Sequence, residues 1–129
     1  MAKKWQKKAD DEWSRVVRQV GYCEMCGSST KQLHAHHIIG RANFAYRHDL
    51  SNGICLCASC HVFSKNSAHS NATFFYRWLK ENRPGQWVWF REHTVEKKKM
   101  IGNTESISYA AIKTDHVGNE AEYNILKEM

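Results

Sequence analysis

Five cysteines, Cys23, Cys26, Cys55, Cys57 and Cys60, punctuate the chain, and four of them form two Cys-x-x-Cys pairs, Cys23–Cys26 and Cys57–Cys60. A two-residue spacer lets both sulfurs of a pair reach one ion, and two pairs complete the tetrahedral thiolate shell that zinc favours. A redox dithiol or unrelated buried thiols would account for one such pair, not for two. The odd cysteine count, with no apolar export run at the N-terminus, argues against a disulfide framework. The expected cofactor is therefore a structural Zn²⁺ held by Cys23, Cys26, Cys57 and Cys60. Cys55 sits in the apolar run Ile54-Cys55-Leu56 and reads as a small core residue.

The 30 residues between the pairs exceed the roughly 15–20 of a compact zinc module. That insert holds His34, His36, His37 and His48, half of the chain's eight histidines. Leu33 to Ile39 reads as a strand, and its alternation puts His36 and His37 on opposite faces. Asn52 follows, and His61 stands directly after Cys60. A zinc that pins the following helix against the hairpin would bring His61 towards His36. His34, His48, His69, His93 and His116 read as surface or packing residues; His34, which shares a strand face with His36, is the first candidate among them to touch the site. Two alternatives stay open: Asn52-Gly53 also suits a type I′ turn, and His61 could be a zinc ligand, although four cysteines already fill that shell.

The elements that must position these groups are short. Residues 10–20 predict an amphipathic helix with Trp13, Val16, Val17 and Val20 in its stripe and Gly21 as its stop, the lysine-rich segment before it either extending it or fraying. Gly53 to Leu56 should pair back on the first strand, and the second cysteine pair should lead into a helix near 58–66, giving β-β-α. Residues 72–82 read as a helix carrying the i, i+4 pairs Phe74/Trp78 and Phe75/Leu79. Pro84-Gly85 breaks it. Residues 86–93 suggest a further short helix whose aromatics suit a core better than a base-stacking platform. Residues 97–129 say least, with a terminal helix expected from Glu120 to Met129. The fold class is α+β: one domain over 1–129, its core about 21–66, with the N-terminal helix at 10–20 and a helical extension over about 70–129.

The pattern Cys23–Cys26, His36-His37-Ile38, Asn52 and Leu56-Cys57-Ala58-Ser59-Cys60-His61 resembles the HNH endonucleases of the ββα-metal (His-Me finger) group, and Arg47 to Cys57 looks like phage-encoded members. The resemblance covers about residues 21–66. It implies a metal-dependent DNA endonuclease in which His37 is the general base, His36 and His61 hold a catalytic divalent ion, and Asn52 fixes the loop and orients His37. Products with 5′-phosphate and 3′-hydroxyl ends are implied as well. Many members carry His or Asn four residues after the last motif histidine, where this chain has Lys65; a protonated lysine cannot ligate. The expected ion therefore has two protein ligands, which suits Mg²⁺ or Mn²⁺, although imidazole also suits Zn²⁺ or Ni²⁺. Gly40 stands where proline is common.

Nineteen basic against thirteen acidic residues leave +6 on 129 residues, and the excess lies in residues 1–93. Such a charge on a small domain favours a polyanionic partner, DNA here. Arg41 and Arg47 flank the hairpin loop and Lys65 sits on the expected catalytic helix, all three placed to contact phosphates; Lys3, Lys4, Lys7 and Lys8 form either a nonspecific arm or a solvated face. No apolar run approaches the roughly 18 residues that span a bilayer. The chain is therefore expected in the cytoplasm of a bacterial host, with a phage or bacterial role in DNA packaging, recombination or mobility and partners from those processes. Two rivals share parts of the pattern: a non-catalytic zinc module that binds nucleic acid, and a structure-selective nuclease of branched DNA. A nucleobase deaminase is disfavoured, because no His-x-Glu precedes the second cysteine pair.

Overall fold

A computed structural model describes residues 2–101 and 120–129. A two-stranded antiparallel sheet lies at the centre, β1 (Leu33–His37) on β2 (Gly53–Cys57), with His36 opposite Ile54 and His37 opposite Gly53. Around it stand α1 (Ala2–Val17), α2 (Ala72–Asn82), α3 (Pro84–Ile101) and α4 (Glu120–Lys127). Mixed helix and small sheet with a cysteine cluster is the α+β core that the sequence implies. Among the described residues no helix is long and apolar enough to cross a membrane.

The two faces of β2 meet different partners. Ile54 and Leu56 enter a core with Ile38, Phe75 and Leu79, and Trp87 and Phe90 of α3 pack against it. On the other face, α1 comes so close that a Cβ on Gly53 would lie 2.5 Å from Val17 Cγ2 and 2.8 Å from Trp13 Cζ2. Any side chain at position 53 would push α1 off the sheet. Ala9, Trp13 and Leu126 form a second buried cluster that joins α1 to α4.

Several boundaries differ from the expected ones for identifiable reasons. The lysine-rich segment is helical, so α1 begins at Ala2. After Val17 the chain tightens into a 3₁₀ turn, Arg18–Val20, ended by Gly21 at φ 84°. The tighter winding rotates Val20 off the apolar stripe and leaves it exposed. β1 stops at His37 rather than Ile39, because Ile39 N–H is taken by the Asn52 side chain at 2.6 Å instead of by a strand neighbour. The helix expected over 58–66 is a single π turn, Ser59–Phe63. The carbonyls that would have extended it accept elsewhere: Cys60 from Ala68 N–H (2.8 Å), His61 from His69 N–H (3.1 Å), Val62 from the Ser67 and Ser70 hydroxyls. Lys65 consequently lies beyond the turn, exposed, and not on a catalytic helix. α2 matches its expected span, and Pro84 opens α3, where its missing N–H costs nothing. The stretch of the expected C-terminal extension over 102–119, with His116, lies outside the described residues.

A partly buried ionic latch ties the layers together. Asp10 of α1 accepts a two-point contact from Arg47 (2.8 and 2.7 Å) and a third hydrogen bond from His48 Nε2 (2.6 Å). His48 Nδ1 meets Glu122 of α4 at 2.5 Å, so both ring nitrogens face carboxylates. Burial alone would lower the His48 pKa, but hydrogen bonds to Asp10 and Glu122 outweigh it and raise the value. Burial likewise opposes ionisation of Asp10, yet Arg47 and His48 hold its carboxyl well below the usual range. Expected here as a surface or packing residue, His48 is 5% exposed.

The sign of the pH dependence follows. A raised histidine stabilises fully below its unfolded pKa of about 6.5, and that contribution fades as pH climbs through the folded value. The lowered Asp10 pKa acts at the other end: its contribution is complete above about 3.9 and fades as acid protonates it. Between about pH 6 and about pH 9 the native chain should therefore lose melting temperature more steeply than His48→Gln, which has no charge to lose. Parallel profiles for the two proteins would show that the latch carries no ionic stabilisation.

Candidate metal centres and the histidine cleft

The first knuckle is a tight turn in which Gly27, at φ 80°, returns its N–H to Cys23 O at 2.8 Å. It presents Cys23 and Cys26 towards Cys57, the last residue of β2, and Cys60, inside the π turn. The four sulfurs lie within 4.8 Å of one another, and Cys26 and Cys57 Sγ are 3.7 Å apart. Four thiolates around one ion at about 2.3 Å would stand about 3.8 Å apart, so the cluster fits a structural metal. Burial raises the Cys23 pKa, but N–H groups of Cys26, Cys57 and Met25 outweigh it and bring the thiol down to about 7. Cys55 lies outside the cluster, and burial lifts its thiol to about 11, as suits a core residue. Glu24 braces the knuckle by accepting from Cys55 N–H (2.8 Å) and Arg83 (3.3 Å).

A second group, His36, His61 and His69, also has its ligand atoms within 4.8 Å of one another. His36 is 6% exposed, packs edge-on to His61, His69 and Phe75, and has a buried Nδ1 with no hydrogen-bond partner. Leaving such a nitrogen unpaired is costly, and a metal would satisfy it. Burial, reinforced by neighbouring imidazoles, lowers His36 to about 3 and His61 to about 4, so both rings are neutral near pH 7 with lone pairs to donate. His69, expected as a surface or packing residue, supplies the third ring. The His61–His69 backbone hydrogen bond puts their side chains together, with Nε2 atoms 3.1 Å apart. His36, His61 and His69 together could hold an ion, one ligand more than the two expected. His34 touches the site through His61, their Nδ1 atoms 2.9 Å apart.

His37 points the opposite way from His36, towards α1. Its Nε2 lies 3.0 Å from the Arg47 carbonyl, which can only accept, so Nε2 carries the proton and Nδ1 the lone pair. Burial lowers its pKa, partly offset by that carbonyl. Asn52 is fully buried, and its side-chain hydrogen bonds go to the loop and not to His37. It accepts from Ile39 N–H and donates to the carbonyls of Ile39 (2.9 Å) and Tyr46 (3.0 Å), pinning the loop that presents the Arg47 carbonyl. It closes a 3₁₀ turn, Leu50–Asn52, and Gly53 is extended at φ −112°, so no type I′ turn forms. His36, His37, His61 and His69 line one open cleft of about 500 Å³ together with Asp10, Asp11, Trp13 and Arg41.

Residues 23–67 match the family model described as HNH endonuclease. The chain carries an HNH endonuclease domain. No curated protein and no solved structure matches the chain. An HNH domain suggests a nuclease-type or nucleic-acid-acting function, and HNH nucleases act on DNA with divalent metals. The matched segment contains both metal-binding groups except His69, while α1, α2, α3 and α4 lie beyond it.

The basic residues expected to contact phosphate divide. Arg41 is exposed at the rim of the cleft. Arg47 does not offer a free guanidinium: its side chain is committed to Asp10, and only its carbonyl reaches the site. Because His34 orients His61, His34→Ala should weaken Mn²⁺ or Ni²⁺ binding by about 10- to 100-fold with the cysteine-bound metal retained. Isothermal titration of the full chain measures this, and unchanged affinity would show that the His34–His61 contact does not orient the ligand.

Proposed function

We propose that this HNH domain is a metal-dependent DNA endonuclease with His37 as general base, His36, His61 and His69 as ligands of the catalytic divalent ion, and Zn²⁺ in the cysteine cluster. The observation that carries this reading is the state of His37: one nitrogen fixed on a backbone carbonyl, the ring lining the same cleft as His36, His61 and His69. A non-catalytic nucleic-acid accessory would use the cysteine cluster but has no need of that arrangement.

Hydrolysis needs a base for water and charge for the phosphate. His37 Nδ1 accepts the proton of the attacking water, and the Arg47 carbonyl stabilises the imidazolium through Nε2–H. The water oxygen bonds to phosphorus as the P–O3′ bond breaks and the departing O3′ takes a proton from solvent, giving the 5′-phosphate and 3′-hydroxyl ends that the resemblance implies. A divalent ion, Mg²⁺ or Mn²⁺ with Zn²⁺ or Ni²⁺ as alternatives, would supply Lewis-acid charge at the phosphate when held by the three histidines. Asn52 acts at one remove by fixing the loop behind His37. Arg41 and the exposed Lys65 add phosphate contacts that position the strand without reading sequence. A setting in phage or bacterial DNA packaging, recombination or mobility, within the bacterial cytoplasm, agrees with the phage-like Arg47 to Cys57 stretch.

Supercoiled plasmid incubated with each divalent ion tests this. The native chain should nick with at least one ion, and His37→Gln should be slower by about 10²-fold or more with an unchanged melting temperature. A well-folded His37→Gln that cuts within about threefold of the native rate would remove His37 from the reaction.

A further inference from the structure

Strand pairing sets His37 opposite Gly53, where no side chain stands beside the imidazole. Trp13 of α1 fills that place. Its indole stacks on the His37 ring with centroids 3.9 Å apart and planes inclined by 12°. The indole is 2% exposed and pinned in turn, since its Nε1–H donates to the Asp49 carbonyl at 2.9 Å. Arg47 and Asp49 belong to one short loop. The same backbone thus holds His37 through a carbonyl at its edge and holds the indole that covers its face. An imidazole fixed at one nitrogen can still swing about that contact; a stacked ring removes the swing.

We propose that Trp13 is a positioning residue for His37, so that the N-terminal helix, which lies outside the segment matching the HNH family, is part of the active site. Trp13 touches no reacting atom and acts by keeping the lone pair of His37 Nδ1 aimed into the cleft. Misplacing a reacting group by about 1 Å can cost about 10²-fold in rate. The assignment rests on the nuclease reading above.

Single-turnover plasmid cleavage by the full chain, with Trp13→Leu and Trp13→Phe each made in the native and His37→Gln backgrounds, tests it. Trp13→Leu should slow cleavage by about 10²-fold while DNA affinity stays within about twofold. Trp13→Phe, which keeps a stacking ring but loses the hydrogen bond to Asp49, should recover most of that rate. Neither substitution should slow the His37→Gln protein by more than about twofold, because the group being positioned is gone. A folded Trp13→Leu at near-native rate, or the same loss in both backgrounds, would overturn the proposal and leave His37 as base. Should Trp13→Leu melt below the assay temperature, Trp13→Phe decides: a severalfold loss confined to the native background supports the proposal, and no loss or an equal loss in both overturns it. A native chain no faster than His37→Gln would overturn the nuclease reading and this proposal together.

Discussion

Four sulfur atoms drawn from two turns 30 residues apart converge on one point, and the rest of the structure depends on that convergence. The sheet has only two strands of five residues, far too little to be stable alone. Cys57 ends β2 and Cys60 sits in the π turn, so a metal bound there would fix the angle between strand and turn. The first knuckle, reached through Cys23 and Cys26, would then lock against β2 from outside, where Glu24 already bridges to the Cys55 N–H. Thiolates crowded this closely repel without a cation between them, so fold and ion are linked.

From that anchor the chemistry is distributed by strand alternation. Adjacent histidines on β1 leave by opposite faces: His36 goes to the Phe75 side to join His61 and His69, and His37 goes to the α1 side. The two roles proposed for them need different surroundings, and one dipeptide can serve both. His36 and His61 are desolvated and neutral, ready to donate to an ion. His37 is held by a carbonyl and an indole. Asn52 and the Asp10–Arg47–His48–Glu122 latch stiffen the loop behind it, so helices remote in sequence reach the same few ångströms of backbone.

Much of this was legible from spacing alone. The cysteine pairs, the His36/His37 alternation, the strand pair and α2 all follow from local patterns with periods of two, three or four residues. His69 was not legible, because it reaches the cleft only through carbonyls of the π turn that accept from Ala68, His69 and two serines instead of continuing a helix. No periodicity encodes such a return; the run Ser67-Ala68-His69-Ser70 close after His61 was the one available hint. The ionic contacts of Arg47 and His48 were not legible for a related reason. Their charges are balanced by Asp10 and Glu122, 37 and 74 residues away in the chain, so exposure could not be inferred from charge. Trp13 was recognisable as a core residue, but its contact with His37 required Gly53 to be the cross-strand neighbour.

Zinc-edge X-ray absorption on the full-length chain, after extensive dialysis, measures the anchoring interaction directly. One retained zinc per chain with four sulfur neighbours at about 2.3 Å is the result expected of the cysteine cluster. A chain that folds and cleaves without retained metal, or a retained zinc surrounded mainly by nitrogen and oxygen, would contradict the account at its foundation.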